Sequence, residues 1–106
     1  MSSIHNMKPL QRLENYNTKG NLWIYILSLL NKEKLHAWSI QSLIEKEFGF
    51  KPGRITAYRV LYRLEEDGFV KSQTKQRRRI YHITLKGKEQ IDLARQFYKE
   101  ILKKIR

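Results

Sequence analysis

The 106-residue sequence contains no cysteine, which excludes a disulfide framework and any thiolate-bound zinc. Its histidines, His5, His36 and His82, stand far apart, so an all-histidine metal site is not expected either. No metal or other cofactor is therefore expected. Long apolar runs are also missing. The longest, Leu22 to Leu30, is nine residues with Ser28 inside it, against the ~20 that a spanning helix needs. No cleavable signal precedes it, so neither a membrane span nor export is expected. No carboxylate pair, nucleophile–base pair or phosphate-cradling glycine loop stands out, and no catalytic role is assigned. Acidic residues are scarce, with 10 against 22 lysines and arginines, for a net charge of +12. The hydrophobic fraction of 41% still supports a core, which argues against whole-chain disorder. What remains is one small, strongly basic folded domain, expected in the cytoplasm.

The charge is unevenly placed. Residues 51–85 carry nine basic groups and three acidic ones, a net +6, while residues 22–50 carry three of each. Residues 1–21 add +2 and residues 86–106 add +4. Half of the excess thus lies in one third of the chain. That concentration suits a polyanion-binding face, because each neutralised phosphate releases condensed counterions. A solvated basic surface is the plainer reading of charge alone.

Hydrophobic spacing organises the rest. Residues 1–7 read as a disordered start, followed by a short helix from Pro9 to Tyr16 with Leu10 and Leu13 on one face. Leu22 to Asn31 is apolar nearly all round, as in a helix buried on several sides, although in isolation the run could also be a buried strand and its length favours helix only weakly. Ala37, Ile40, Leu43, Ile44 and Phe48 recur at steps of three and four, predicting a helix from Ala37 to Phe48. Gly49 suits the left-handed position after it. A helix from Arg54 to Asp67 follows, with Ala57, Val60, Leu61 and Leu64 on one side. Ile55, Thr56, Arg59, Tyr62 and Arg63 fall on the other, and Gly68 ends it. Phe69 to Ser72 and Arg79 to Thr84 read as strands around a polar, basic loop, and Thr84 as the N-cap of a last helix reaching Ile105.

The order helix–helix–helix–strand–strand–helix, with a tight turn before the third helix of that series, is that of a winged helix-turn-helix. The fold class expected is mainly α with a small β-hairpin wing and a C-terminal dimerisation helix. Residues 1–21 form an N-terminal extension, 22–85 the winged domain and 86–106 the dimerisation helix. Four blocks then resemble a known family, the PadR-like transcriptional regulators. They are Lys19-Gly20-Asn21-Leu22 through Ile26-Leu27-Ser28-Leu29-Leu30, and Leu35-His36-Ala37-Trp38-Ser39-Ile40, where the family usually has His-Gly-Tyr-x-Ile. The third, Tyr58-Arg59-Val60-Leu61-Tyr62-Arg63-Leu64-Glu65-Glu66-Asp67-Gly68-Phe69-Val70, is the most specific. The fourth is Arg78-Arg79-Ile80-Tyr81-His82-Ile83-Thr84-Leu85-Lys86-Gly87. Arg54-Ile55 reads as an insertion relative to the family, and the wing tip lacks the family's Gly-Arg-Pro-like turn.

The resemblance implies a DNA-binding regulator, a repressor by family habit, associated with the nucleoid, and it places Tyr58 at the DNA backbone. On the recognition helix and its approach, Lys51, Arg54, Thr56, Tyr58, Arg59, Tyr62 and Arg63 are the candidate DNA contacts. Arginine can fork onto guanine or clamp a phosphate. Thr56 could instead cap the helix, and Tyr58 could be partly buried. On the wing the candidates are Lys75, Gln76, Arg77, Arg78 and Arg79, with a solvated loop as the alternative. In the last helix Ile91, Ala94, Tyr98, Ile101 and Ile105 repeat at 3-4-3-4 spacing, and Phe97 and Leu102 widen the stripe beyond one small domain's needs. With Trp23 these are the candidate homodimer contacts. Trp23 and Trp38 would line any effector pocket, although core or interface packing suits them better and nothing calls for an effector. The expected partners are double-stranded DNA and a second copy of the chain. The rivals are an architectural protein coating DNA without sequence preference and an RNA- or ribosome-binding protein.

Overall fold

A computed structural model describes residues 8–106, and the expected disordered start at 1–7 lies outside the described residues. The chain runs α1 (Pro9–Tyr16), a 3₁₀ turn (Lys19–Asn21), α2 (Leu22–Lys32), β1 (Leu35–His36), a second 3₁₀ turn (Ala37–Ser39) and α3 (Ile40–Phe48). It continues with α4 (Arg54–Glu66), β2 (Val70–Lys75), β3 (Arg78–Ile83) and α5 (Leu85–Lys104).

The apolar run becomes the hub. Leu22, Ile26, Leu27, Leu29 and Leu30 of α2 are all buried, because α2 packs against α3, α4, α5 and β3 at once. Ile40 and Ile44 of α3, then Ala57, Leu61 and Leu64 of α4, close over it, joined by Val70, Tyr81 and Ile91. The stops expected for α3 and α4 are in place: Gly49 and Gly68 sit in the left-handed region at φ 80° and 82°. Thr84 caps α5, its hydroxyl accepting from the Gly87 amide at 3.1 Å.

Three features differ from expectation. The helix predicted from Ala37 begins at Ile40, because Leu35 and His36 pair with Tyr81 and Ile80 of β3. The Ser39 hydroxyl then donates to the His36 carbonyl at 2.8 Å and tightens the turn between them. The sheet is accordingly three-stranded and antiparallel, in the order β1-β3-β2. The wing is also longer than predicted: β2 and β3 pair from Val70↔Ile83 out to Lys75↔Arg78. The residues read as a loop zip into strands, and only Gln76 and Arg77 remain to turn the chain.

Beyond Ile91 no residue of α5 is buried. The protruding helix helps raise the radius of gyration to 15.0 Å, against about 13 Å for a compact chain of this length.

Candidate nucleic-acid interface

The core stripe of α4 fixes which of its residues face outward. With Ala57, Leu61 and Leu64 buried, Arg54, Thr56, Arg59, Tyr62 and Arg63 are exposed on the rest of the helix, as is Lys51 in the turn before it. Tyr58 is half-buried on the flank, its ring 6.4 Å from that of Tyr62. Thr56 does not cap α4. Gly53 occupies the N-cap and no side chain bonds there, so Thr56 lies within the first turn with its hydroxyl available. That first turn holds no acidic residue and opens with Arg54. A cation there opposes the helix dipole, at a cost of about 0.3–1 kcal/mol at an exposed site. A fold selected for stability alone would not place it there.

Arg59 and Arg63 stand at the rim of an open cleft of about 520 Å³, with Trp23, Phe69 and Gln90 among its other lining residues. None of Arg54, Arg59 and Arg63 makes an ion pair among the described residues. All three are exposed, and Asp67 lines the same cleft as Arg59 and Arg63 without pairing to either within 4 Å.

The wing carries Lys75, Gln76, Arg77, Arg78 and Arg79, all exposed. Its base is braced on α4, where the Ser72 hydroxyl of β2 donates to Glu65 Oε2. Arg79 lies beside the hydroxyl of the buried Tyr81, which has no well-formed hydrogen bond among the described residues. Burial raises the Tyr81 phenol, and the Arg79 guanidinium partly offsets that. Arg79 thus lies near the sheet's buried Tyr81, whereas Arg77 in the turn and Arg78 at the start of β3 are simply exposed.

The tip is strained. Gln76 and Arg77 both have positive φ, 53° and 65°. This is the two-residue turn whose twist matches a hairpin, and it normally calls for Asn-Gly. Left-handed φ costs a side-chain-bearing residue about 1–2 kcal/mol. Arg77→Gly is therefore expected to raise stability by about 0.5–1 kcal/mol, once glycine's greater unfolded-state entropy is set against the relief. It should at the same time weaken nucleic-acid binding. Urea midpoints and binding isotherms of the one variant check both, and a lower midpoint would contradict the strain.

Elsewhere the structure sorts the candidate contacts of α5. Ile91 is turned into the protomer's own core, at 6% exposure, so it is spent before any partner arrives. Ala94 is half-buried, whereas Phe97, Tyr98, Ile101, Leu102 and Ile105 are exposed. These five line one side of an apolar groove of about 700 Å³, with Leu13 of α1 and Ile24 and Tyr25 of α2 opposite. The groove is anchored at Asn17, which accepts at Oδ1 from the Tyr98 hydroxyl, 2.7 Å away, and at its carbonyl from Tyr25. Trp23 of α2 lies alongside, lining a neighbouring cleft with Ala94, Phe97 and Tyr98 of α5.

Two exposed apolar side chains were not among the expected DNA or dimer contacts, although the spacing puts Ile55 on the outward side of its helix. Trp38 is not packed in the core: it is 62% exposed and stacks on His36 with ring centroids 6.0 Å apart. Ile55 is 69% exposed in the first turn of α4. An aliphatic or aromatic residue in a helix gives the same sequence signal whether it is core or contact.

Three helices around α2, a tight turn into an exposed basic helix and a hairpin beside it define a winged-helix protein of the DNA-binding class. The sequence model of the PadR-like family of transcriptional regulators matches residues 26–93. The chain belongs to that family. No curated protein matches it, but solved structures do. It is similar to a PadR family transcription regulator from hypervirulent Clostridium difficile, with 26% identity, TM-score 0.73, and coverage of 79% of this chain and 93% of that one. A transcriptional regulator from Clostridium thermocellum gives 26% identity and TM-score 0.72 over 82% and 95%. Bacillus subtilis PadR, solved in complex with operator DNA, gives 27% identity and TM-score 0.63 over 67% of this chain and 44% of that one. Among the described residues no helix is long and apolar enough to cross a membrane.

Proposed function

We propose that the chain is a homodimeric, sequence-specific regulator of transcription that binds double-stranded DNA, and that it represses. The observation that carries this reading is the exposed, mainly cationic surface formed by the outward face of α4 and the braced wing. A helix of this kind fits the major groove while its apolar stripe holds it to the domain. Arg54, Thr56, Tyr58, Arg59, Tyr62 and Arg63 would contact bases and nearby phosphates, and Lys51 a phosphate. Lys75, Gln76, Arg77, Arg78 and Arg79 would hold phosphates or enter the minor groove. The operator complex of the B. subtilis relative supports this assignment, and repression follows family habit.

Dimerisation is supported by the apolar groove. Among the residues that line it, Leu13 of α1 is 59% exposed, and Phe97 and Leu102 of α5 are 63% and 76%. Apolar surface this contiguous marks an interface. Ala94, Phe97, Tyr98, Ile101, Leu102 and Ile105 would meet their two-fold mates, with Trp23 beside them.

Ile101→Asp tests the dimer and its function together. The wild type should scatter as twice 12.8 kDa. The variant places a charge in the seam of each protomer and should weaken association by about 2–4 kcal/mol. At micromolar concentration it should run as a 12.8 kDa monomer and lose specific duplex binding far more than random binding. A wild type that stays monomeric at high concentration overturns the dimer.

A further inference from the structure

Ile55 does not fit an electrostatic account of the proposed DNA face. It is the second residue of α4 and 69% exposed, outside both the core and the ring of half-buried residues packed on it. Leu13 of α1 and the exposed apolar residues of α5 from Phe97 to Ile105 share one groove, and Ile55 does not line it. Its neighbours on the helix are polar or aromatic: Arg54 and Thr56 beside it, Tyr58 and Arg59 one turn on. A phosphate gives an isoleucine no return, and β-branching slightly weakens the helix it stands on.

The duplex offers one group that rewards an aliphatic side chain at this place, the C5 methyl of thymine, which projects into the major groove. We infer that Ile55 is a specificity-determining residue that reads a thymine methyl in each half-site. The inference depends on α4 being the recognition helix, as proposed above. Ile55 and Arg59 are four residues apart, about 6 Å along the helix, and base pairs stack every ~3.4 Å. The thymine should therefore lie within about two base pairs of the base or phosphate that Arg59 holds.

Single replacement of each thymine by deoxyuridine tests this on a duplex selected by the wild-type protein. Deoxyuridine removes the methyl and keeps every hydrogen-bonding group of the base. One position per half-site should lose about fourfold in affinity, the effect of withdrawing one methyl-sized group from contact. Ile55→Ala should bind the thymine and deoxyuridine duplexes equally at that position while keeping its response to changes elsewhere in the site. The variant should fold, since the side chain is exposed and alanine favours helix; its melting temperature checks that. If no thymine responds, or if one responds by the same factor in wild type and Ile55→Ala, the inference is overturned while the regulator reading stands. If no sequence is selected at all, the regulator reading fails and this inference fails with it.

Discussion

Replacing Arg77, Arg78 and Arg79 together with alanine should weaken binding to every duplex, specific or random, by about a hundredfold or more near 0.1 M salt. Each protomer loses up to three phosphate contacts, so a dimer loses up to six. The slope of log affinity against log salt should flatten by about 0.9 per lost contact, or about five in all if every arginine is engaged. The fold should survive, since all three residues are exposed and the hairpin register is held by backbone pairing out to Lys75↔Arg78. The ratio of specific to random affinity should change little, because phosphates carry no sequence information directly. Salt titrations on one specific and one random duplex check both parts. An unchanged slope would show that the wing does not touch the duplex.

Gly87→Ala should produce the largest loss of stability. A Cβ there would stand 2.2 Å from the Phe69 carbonyl oxygen and 2.7 Å from Ile83 Cγ1. Neither neighbour can give way cheaply. The Phe69 carbonyl accepts from the Thr84 amide at 3.1 Å, and the Thr84 hydroxyl donates to the Gly68 carbonyl at 2.7 Å while capping Gly87. Relief requires moving the start of α5, which breaks the cap and draws Ile91 out of the core. Such overpacking costs about 3 kcal/mol, against about 1 kcal/mol gained from alanine's helix preference. A net loss of about 2 kcal/mol lowers the melting temperature by roughly 8–16 °C in a domain of this size. The sign decides the matter: propensity alone predicts a rise, and a rise would mean that α5 does not approach β2 and β3 so closely.

How much of this was legible in the sequence depended on how each residue reports its environment. α2 was legible as a buried element but only weakly as a helix, because an apolar run buried on several sides has no period that separates helix from strand. α3 and α4 were readable from three–four spacing closed by Gly49 and Gly68, whose left-handed φ leaves few other residues eligible. β1 was not readable, since two residues carry no period and Leu35 and His36 are held by pairing with β3. The wing strands were underestimated because Gln73, Thr74, Lys75 and Arg78 are all exposed, so no apolar alternation marks them. Their turn lacks the Asn-Gly signature that would have revealed it. The basic candidates on α4 and the wing followed from charge and from the helical angle set by the core stripe. The helical angle put Ile55 opposite the core stripe, where it is 69% exposed, but its residue type did not mark it as a contact. Ile91 kept the seam's spacing yet turned inward, because a 3-4 repeat does not say which copy of the chain buries it.

The central claim is that α4 and the wing read a particular duplex sequence as a pair related by two-fold symmetry. Selection of bound sequences from a random duplex pool, with an RNA competitor present, tests it most directly. The account predicts recovery of a palindrome whose half-sites are about one helical turn apart, 10–10.5 base pairs, or a multiple of that. It also predicts that RNA does not displace the selected duplex. A pool that shows no enrichment would mean that the chain coats DNA without preference, and displacement by RNA would mean that its basic face serves a different nucleic acid. Either result would contradict the account.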